Sequence, residues 1–304
     1  SYTEASETIV EAASGDLFQI SASGVDITGL TLRNAGDSGA SAIRLSGSHS
    51  IISNNIIDSN YYGITVTGSD NALFNNIFEK NTAGIEMNSG SHDNNVTENT
   101  FIDNEKGIWA TSATSTNDFI TSNTFVNNGQ GINLKDAGLY IIKNNMIFSN
   151  TYGIYLQFSS SNEIVNNIIY SHDTAIFLDR SDYNNLEKNI IKNNGEGLYI
   201  INSQYNNISH NNLEDNKNGT CIYYSTYISV KNNYVSNNSL NGIYFVGSDF
   251  SNISSNLVTL SERGINLINS HSNTMSENIA YGNEKSSIRL TRSENNVLTK
   301  NVVY

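Results

Sequence analysis

Polar and apolar residues recur along this chain on a period far longer than that of a helix or a strand. In the stretch 184–200, Asn184 is followed by an aliphatic two places on (Leu186), an asparagine at five (Asn189), an apolar pair (Ile190, Ile191) and an asparagine at ten (Asn194). A small residue and an alternating run, Gly197, Leu198 and Ile200, close the unit. The same frame fits twelve successive copies: the +5 position is asparagine each time, from Asn55 through Asn189 to Asn301, and the +2 position is apolar each time, from Ile52 to Leu298. The small-residue position falls at Ala42, Gly63 and Gly84, and onward through Gly197, Cys221 and Gly242 to Ser287, at spacings of 21 to 24. A fixed period of about 20 to 50 residues marks a solenoid, in which no repeat buries a core alone and stacking supplies one.

One repeat reads as three short strands joined by bends. In Gly-Ile-x-Leu the period-two alternation sends Ile and Leu inward and x outward. Asparagine at +5 and +10 is expected to form two of the bends, because Asn tolerates left-handed backbone and its amide bonds locally. Successive asparagines, stacked coil on coil, are expected to bond to one another in a ladder. The third bend, as in Ser159 to Asn162 or Thr111 to Asn117, varies in length. The fold this defines is all-β, a right-handed, single-stranded parallel β-helix of about twelve coils. Residues 1–41 follow the frame loosely and are expected to form an atypical first coil or N-terminal cap, while 42–304 carry the β-helix repeats with no linker to divide them. The last coil stops partway through its repeat, leaving strand edges that further domains of the same protein, beyond the C-terminus, are expected to cover.

The pattern Asn-x-Ile-x-x-Asn-x-Ile-x-x-Asn-x-x-Gly-Ile-x-Leu resembles the NosD-type, or carbohydrate-binding and sugar-hydrolysis, repeat of the pectin-lyase-like superfamily, over about residues 42–304. Its Asn-rich, proline-free and acidic character is similar to surface proteins of methanogenic archaea, including the disaggregatase group, which acts on a cell-wall polysaccharide. The resemblance implies an extracellular or cell-surface protein with a polysaccharide partner. Fold alone does not carry the activity.

Composition narrows the partners. Proline is absent, which suits a backbone whose N–H groups are wanted by the next coil. A formal net charge of −13 leaves no basic stripe for phosphate, so no nucleic acid is expected. The single cysteine, Cys221, cannot make an internal disulfide and reads as a packed small residue. No run of about 18 apolar residues occurs, so no direct membrane insertion is expected. The five histidines show neither His-x-His nor His-x-x-x-His spacing, and no metal or other cofactor is expected.

Candidate chemistry lies on the outward x column. In this frame six of its twelve places are aromatic: Trp109, Tyr155, Phe177, Tyr199, Tyr223 and Tyr244. Spaced about 5 Å apart, such rings make a flat apolar strip suited to the faces of sugar rings, although aromatics also favour strands and stack across them for stability alone. Two places further along the strand, Lys135, Gln157 and Asp179 form a line beside Tyr155 and Phe177, where a carboxylate or amine could act as acid or base on a bound sugar. His172 replaces the +10 asparagine and precedes Asp173, a second candidate pair, although Ser261 breaks the same column with no suggestive neighbour. The sequence thus offers Asp179, Lys135, His172 and Asp173 as catalytic candidates and the six aromatics as substrate-binding ones. The leading reading is a polysaccharide-degrading hydrolase or lyase; the alternative is a non-catalytic carbohydrate-binding or spacer module.

Overall fold

The computed structural model describes residues 8–36, 38–111 and 117–304, so most of the variable bend expected at 111–117 lies outside it. The protein is an all-β, right-handed parallel β-solenoid of about 13 turns, with no helix among the described residues. The chain forms two compact units, Ser1–Asn150 and Thr151–Tyr304.

In the second unit the reference coil contributes Asn185–Glu187, Ile190–Lys192 and Glu196–Ile201. Each pairs in parallel with the equivalent strand of the next coil, Asn207–Ser209, Asn212–Glu214 and Asn218–Tyr223. The three sheets that result are called here the first short-strand, second short-strand and long-strand sheets. The first unit repeats the scheme, as when Ala72–Phe74, Ile77–Glu79 and Ala83–Met87 pair with Asn95–Thr97, Thr100–Ile102 and Lys106–Thr111. Residues 8–33, which lack the asparagines, still supply the same strands: Thr8–Glu11 pairs with Leu30–Arg33 and Phe18–Ile20 with Ser41–Leu45.

Alternation along these strands fills the interior. Ile154, Leu156, Ile164 and Ile169 are fully buried, one from each inward position of their coil. In the first unit Phe78, Phe101 and Phe125 stack with centroids 4.7 and 4.6 Å apart. The small-residue column has a steric cause: a Cβ on Gly197 would lie 2.4 Å from the Gly219 carbonyl oxygen of the next coil.

The +5 asparagines bond in a continuous column within each unit. The backbone N–H and side-chain amide of Asn167 both donate to Oδ1 of Asn189, at 3.0 Å each, and Asn189 does the same to Asn211 at 2.9 and 3.0 Å. The second amide proton of Asn189 goes to the Ile164 carbonyl at 2.8 Å. Asn60, Asn81, Asn104 and Asn128 make the equivalent column at +10 in the first unit. Serines that the sequence reading did not single out form another in the second unit, where the N–H groups of Ser159, Ser181 and Ser203 donate to the hydroxyls of Ser181, Ser203 and Ser225.

One expectation needs correcting. The left-handed residue of each bend is not the column asparagine but the residue before it: Asn166, Lys188 and His210 at +4, Ser149, Asn193 and Asp215 at +9, all with φ between 56° and 58°. The column residue must keep its N–H and amide directed along the stack, so the reversal falls on its exposed predecessor. Among the described residues none with positive φ is Val, Ile or Thr, the types for which that region is hardest to reach.

The column sets a stability prediction. Asn189→Ala strips an acceptor from two Asn167 donors and a donor from two acceptors, and should cost about 1 to 3 kcal/mol. Ser261→Ala, at a place where the +10 column already lacks its asparagine, should cost less. Equal melting temperatures for the two variants would contradict this account.

Candidate functional site

The long-strand sheet of the second unit carries most of the proposed site. Its pairing moves one coil of the sequence frame. Gly219, not Cys221, occupies the small-residue column, since Leu198 pairs with Thr220 and Tyr199 with Cys221. Cys221 therefore lies in the outward column between Tyr199 and Tyr244, and Tyr223 lies two places on, beside Ile201 and Val246. The reason is Thr220, a buried polar residue in a core slot that is aliphatic elsewhere. It made Cys221-Ile222-Tyr223-Tyr224 look like the Gly-Ile-x-Leu strand, whereas Tyr224 is exposed.

The aromatic series survives that shift. Tyr155 and Phe177 stack at 5.0 Å, Phe177 and Tyr199 at 5.3 Å, and Tyr223 leans across the small Cys221 to stack on Tyr199 at 5.1 Å. Tyr244 meets Tyr223 edge-on at 5.9 Å. All five rings are half-buried. Because each ring lies along the stack against the next, their faces are largely spent on one another. The series offers solvent a ribbon of ring edges and tyrosine hydroxyls rather than the open faces the sequence suggested.

Polar groups flank this ribbon. Asp179, with 15% of its side chain exposed, accepts from Gln157 Nε2 at 3.2 Å and lies 3.8 Å from the Arg180 guanidinium. Burial and then the Asp179 charge push the Tyr155 phenol above its ordinary value, so it stays protonated. On the other side Glu196 accepts from Cys221 Sγ at 3.1 Å and from Asn218 Nδ2 at 3.1 Å. Burial, followed by the Glu196 charge, pushes the Cys221 thiol far up, so it is an unreactive neutral donor. An amide chain continues from Asn218 to Asn241 and Asn266.

The remaining candidates separate. His172 is turned inward: it is 5% exposed, its N–H donates to Asn194 Oδ1 at 2.9 Å, and a Cβ on Gly153 would come within 3.2 Å of its Nε2. Asp173 next to it is exposed, so the two neighbours differ in surroundings, one buried and one facing solvent. Lys135 and Trp109 belong to the first unit. Lys135 is exposed, and Trp109 packs under the Lys106 ammonium at 4.8 Å and 6.3 Å from the Tyr62 ring.

The first unit has its own outward cluster, to which the sequence reading gave no role. Glu86, 7% exposed, accepts from the Thr65 hydroxyl at 3.0 Å, and Thr65 shares a 2.8 Å bond with Ser41. Burial and then the Glu86 charge hold the Tyr62 phenol well above its ordinary value. Arg44 clamps Asp16 through two bonds, Nε to Oδ2 at 2.7 Å and Nη2 to Oδ1 at 3.1 Å.

Parallel coils stacked into three sheets define a right-handed parallel β-helix protein. The family model described as "Right handed beta helix region" matches residues 113–259, and that described as "Periplasmic copper-binding protein (NosD)" matches residues 3–138. Together the two matches support a parallel β-helix of the NosD type. No curated protein matches it in sequence. Among solved structures it is similar to the A-module of Azotobacter vinelandii mannuronan C-5 epimerase AlgE6, with a TM-score of 0.66 and 12% identity over 98% of this chain and 91% of that one. It is also similar to a PL6 alginate lyase solved with a trisaccharide (TM-score 0.58, 13% identity, 91% and 80% covered). The periplasmic alginate epimerase AlgG is a third (TM-score 0.56, 13% identity, 90% and 78% covered). At such identities the likeness is one of fold. The copper in the NosD description finds no fitting donor set, because no group of three or more His, Cys, Asp or Glu side chains gathers among the described residues.

The clamp on Asp16 makes a pH prediction. Burial alone would raise its carboxyl, but bonds from Arg44, the Ser41 N–H and Gln19 outweigh that and hold it below the ordinary 3.8. A depressed folded value stabilises above the unfolded one and is lost as pH falls through the folded one. Asp16→Asn should therefore melt below wild type at pH 7, with the gap closing as the pH drops below about 4. A gap that stays constant down to pH 2 would rule out the clamp as its source.

Proposed function

We propose that this chain is a secreted carbohydrate-acting β-helix that binds a polysaccharide across the ribbon of Tyr155, Phe177, Tyr199, Tyr223 and Tyr244, and that Asp179 with the Tyr155 hydroxyl carries proton transfer in its cleavage. The observation that carries the binding reading is the unbroken run of rings along one outer face, each presenting an edge, and four of the five a hydroxyl as well. Aromatic carbon beside hydroxyls matches a sugar, which has C–H patches bordered by hydroxyls. The neighbours in fold, two epimerases and a lyase by name, are in keeping with it.

For cleavage, the other nearby carboxylate does not serve as a partner to Asp179. The backbone of Glu196 lies in register with Thr174, five residues before Asp179, and its carboxylate is already engaged by Cys221 Sγ and Asn218 Nδ2. Tyr155, kept protonated in the adjacent column and close enough to feel the Asp179 charge, is the acid assigned to work with it. His172, Asp173 and Lys135 have no part in this assignment.

The test combines affinity electrophoresis with turnover assays on a panel of acidic and neutral polysaccharides, following reducing ends and the absorbance of unsaturated products. Tyr199→Ala should weaken retention about tenfold or more while leaving the melting temperature within a few degrees, since a half-exposed ring contributes little to the core. Asp179→Asn should abolish turnover and spare binding, because an acid–base group matters chiefly in the transition state. Retention without turnover in the wild type would remove the cleavage assignment and leave a binding module. Unchanged retention in a folded Tyr199 variant would remove the ribbon.

A further inference from the structure

A second aromatic row lies outside that ribbon, at the bend entering the first short-strand sheet. Tyr183, Tyr205, Tyr227 and Phe250 occupy the same place in four successive coils. Their centroids are 4.9, 4.9 and 5.5 Å apart with planes within 18° of parallel. Apolar carbon surfaces touch at about 3.5 to 4.0 Å, so rings this far apart and this nearly parallel are slipped, each showing an edge and a margin of its face. They are 60%, 44%, 47% and 54% exposed, against half-burial in the ribbon.

Their backbone makes the choice of residue costly. All four have φ between 55° and 57°, a region that costs most side chains about 1 to 2 kcal/mol. At this bend the other coils place His49, Asp70, Asp93, Asn117, Leu139, Ser161, Ser272 or Asn295, of which all but His49 and Leu139 are small polar types. Four aromatics in succession forgo that choice and leave apolar surface in water.

The row is bordered by polar groups on both sides. Each ring is preceded by Asp182, Gln204, Thr226 or Asp249, and two places after it come Asn185, Asn207, Ser229 or Asn252. The border is pre-set: the Gln204 N–H holds Asp182 Oδ1 at 2.7 Å, the His271 N–H holds Asp249 Oδ1 at 2.6 Å, and Asn207 Nδ2 donates to Asn185 Oδ1 at 2.7 Å.

We propose that this row is a separate carbohydrate track that takes one linear, neutral polysaccharide laid along the stack of coils, its C–H patches on the rings and its hydroxyls on the two polar borders. The coil rise of about 4.8 Å is close to the advance of one residue in an extended 1,4-linked pyranose chain, so successive sugars meet equivalent rings. Neutrality follows from charge: Asp182 and Asp249 line the track, and the chain's net charge of −13 repels a polyanion. The inference shares with the proposed function only the class of ligand and uses none of its residues.

The experiment is affinity electrophoresis of the full chain in gels containing hydroxyethylcellulose, glucomannan or alginate. Tyr205→Asn/Tyr227→Asn is the main variant, because asparagine already occupies this bend at Asn117 and Asn295 and keeps the backbone content. Tyr205→Phe/Tyr227→Phe retains the stack without its hydroxyls, and Tyr199→Ala reports the ribbon. The expected result is retention of wild type by at least one neutral polymer, lowered about tenfold by the asparagine pair, restored largely by the phenylalanine pair and unaffected by Tyr199→Ala. Neutral-polymer retention that is unchanged in the asparagine pair, or that falls only in Tyr199→Ala, overturns the track and leaves the ribbon standing. Retention by alginate alone also overturns it, and retention by none of the three counts against both sites.

Discussion

The fold depends on one problem and its repeated solution: a bend inside a stack of coils buries polar backbone that no water can reach. An asparagine amide solves it in both directions. Its oxygen takes two donors from the coil before, and its nitrogen serves the coil after and a carbonyl at the same time, as at Asn189. Because a buried unpaired group costs about 1 to 3 kcal/mol, the requirement at one bend imposes the same residue on the next. Strand length, coil period and the absence of proline follow from keeping those amides in line. Serine meets the same need at the third bend with a hydroxyl that accepts from one coil and donates back to its own, as Ser181 does.

How much of this was legible in the chain follows from where the constraint acts. The fold could be read because the buried columns repeat at a nearly fixed interval, and a residue facing its own copies has little freedom to vary. The register failed in a single coil, at 217–224, where Thr220 put a hydroxyl into an apolar slot and Cys221 took on the appearance of the small residue. The bends were assigned to the right asparagines for a partly wrong reason: the turning residue is the variable neighbour, which carries no motif of its own. The candidate site was harder, since outer residues answer to no internal partner. Whether His172 faced out could not be judged from its being an exception to a column; the structure turns it inward, against Gly153.

The outer face of the long-strand sheet is furnished differently in the two units. The first carries a hydrogen-bonded polar cluster, Ser41, Thr65 and Glu86, with Tyr62 and Trp109 beside it. The second carries the aromatic ribbon with Asp179 and Glu196 at its margins. Neither affects the interior, whose Ile and Leu columns are the same in kind in both. One scaffold thus supports two chemically distinct surfaces without a change in its core.

The exposed residue that precedes each column asparagine has a consequence for how such a chain can evolve. Its backbone is the most constrained in the coil, yet its side chain contacts almost nothing inside, so nearly any unbranched type can be substituted there without reshaping the core. Aspartate, lysine, histidine and tyrosine all occur at it. Selection can therefore rewrite the surface coil by coil along three parallel rows, each change independent of the others, and a new ligand preference can arise from a few point mutations at sites where the fold keeps no memory of what stood before.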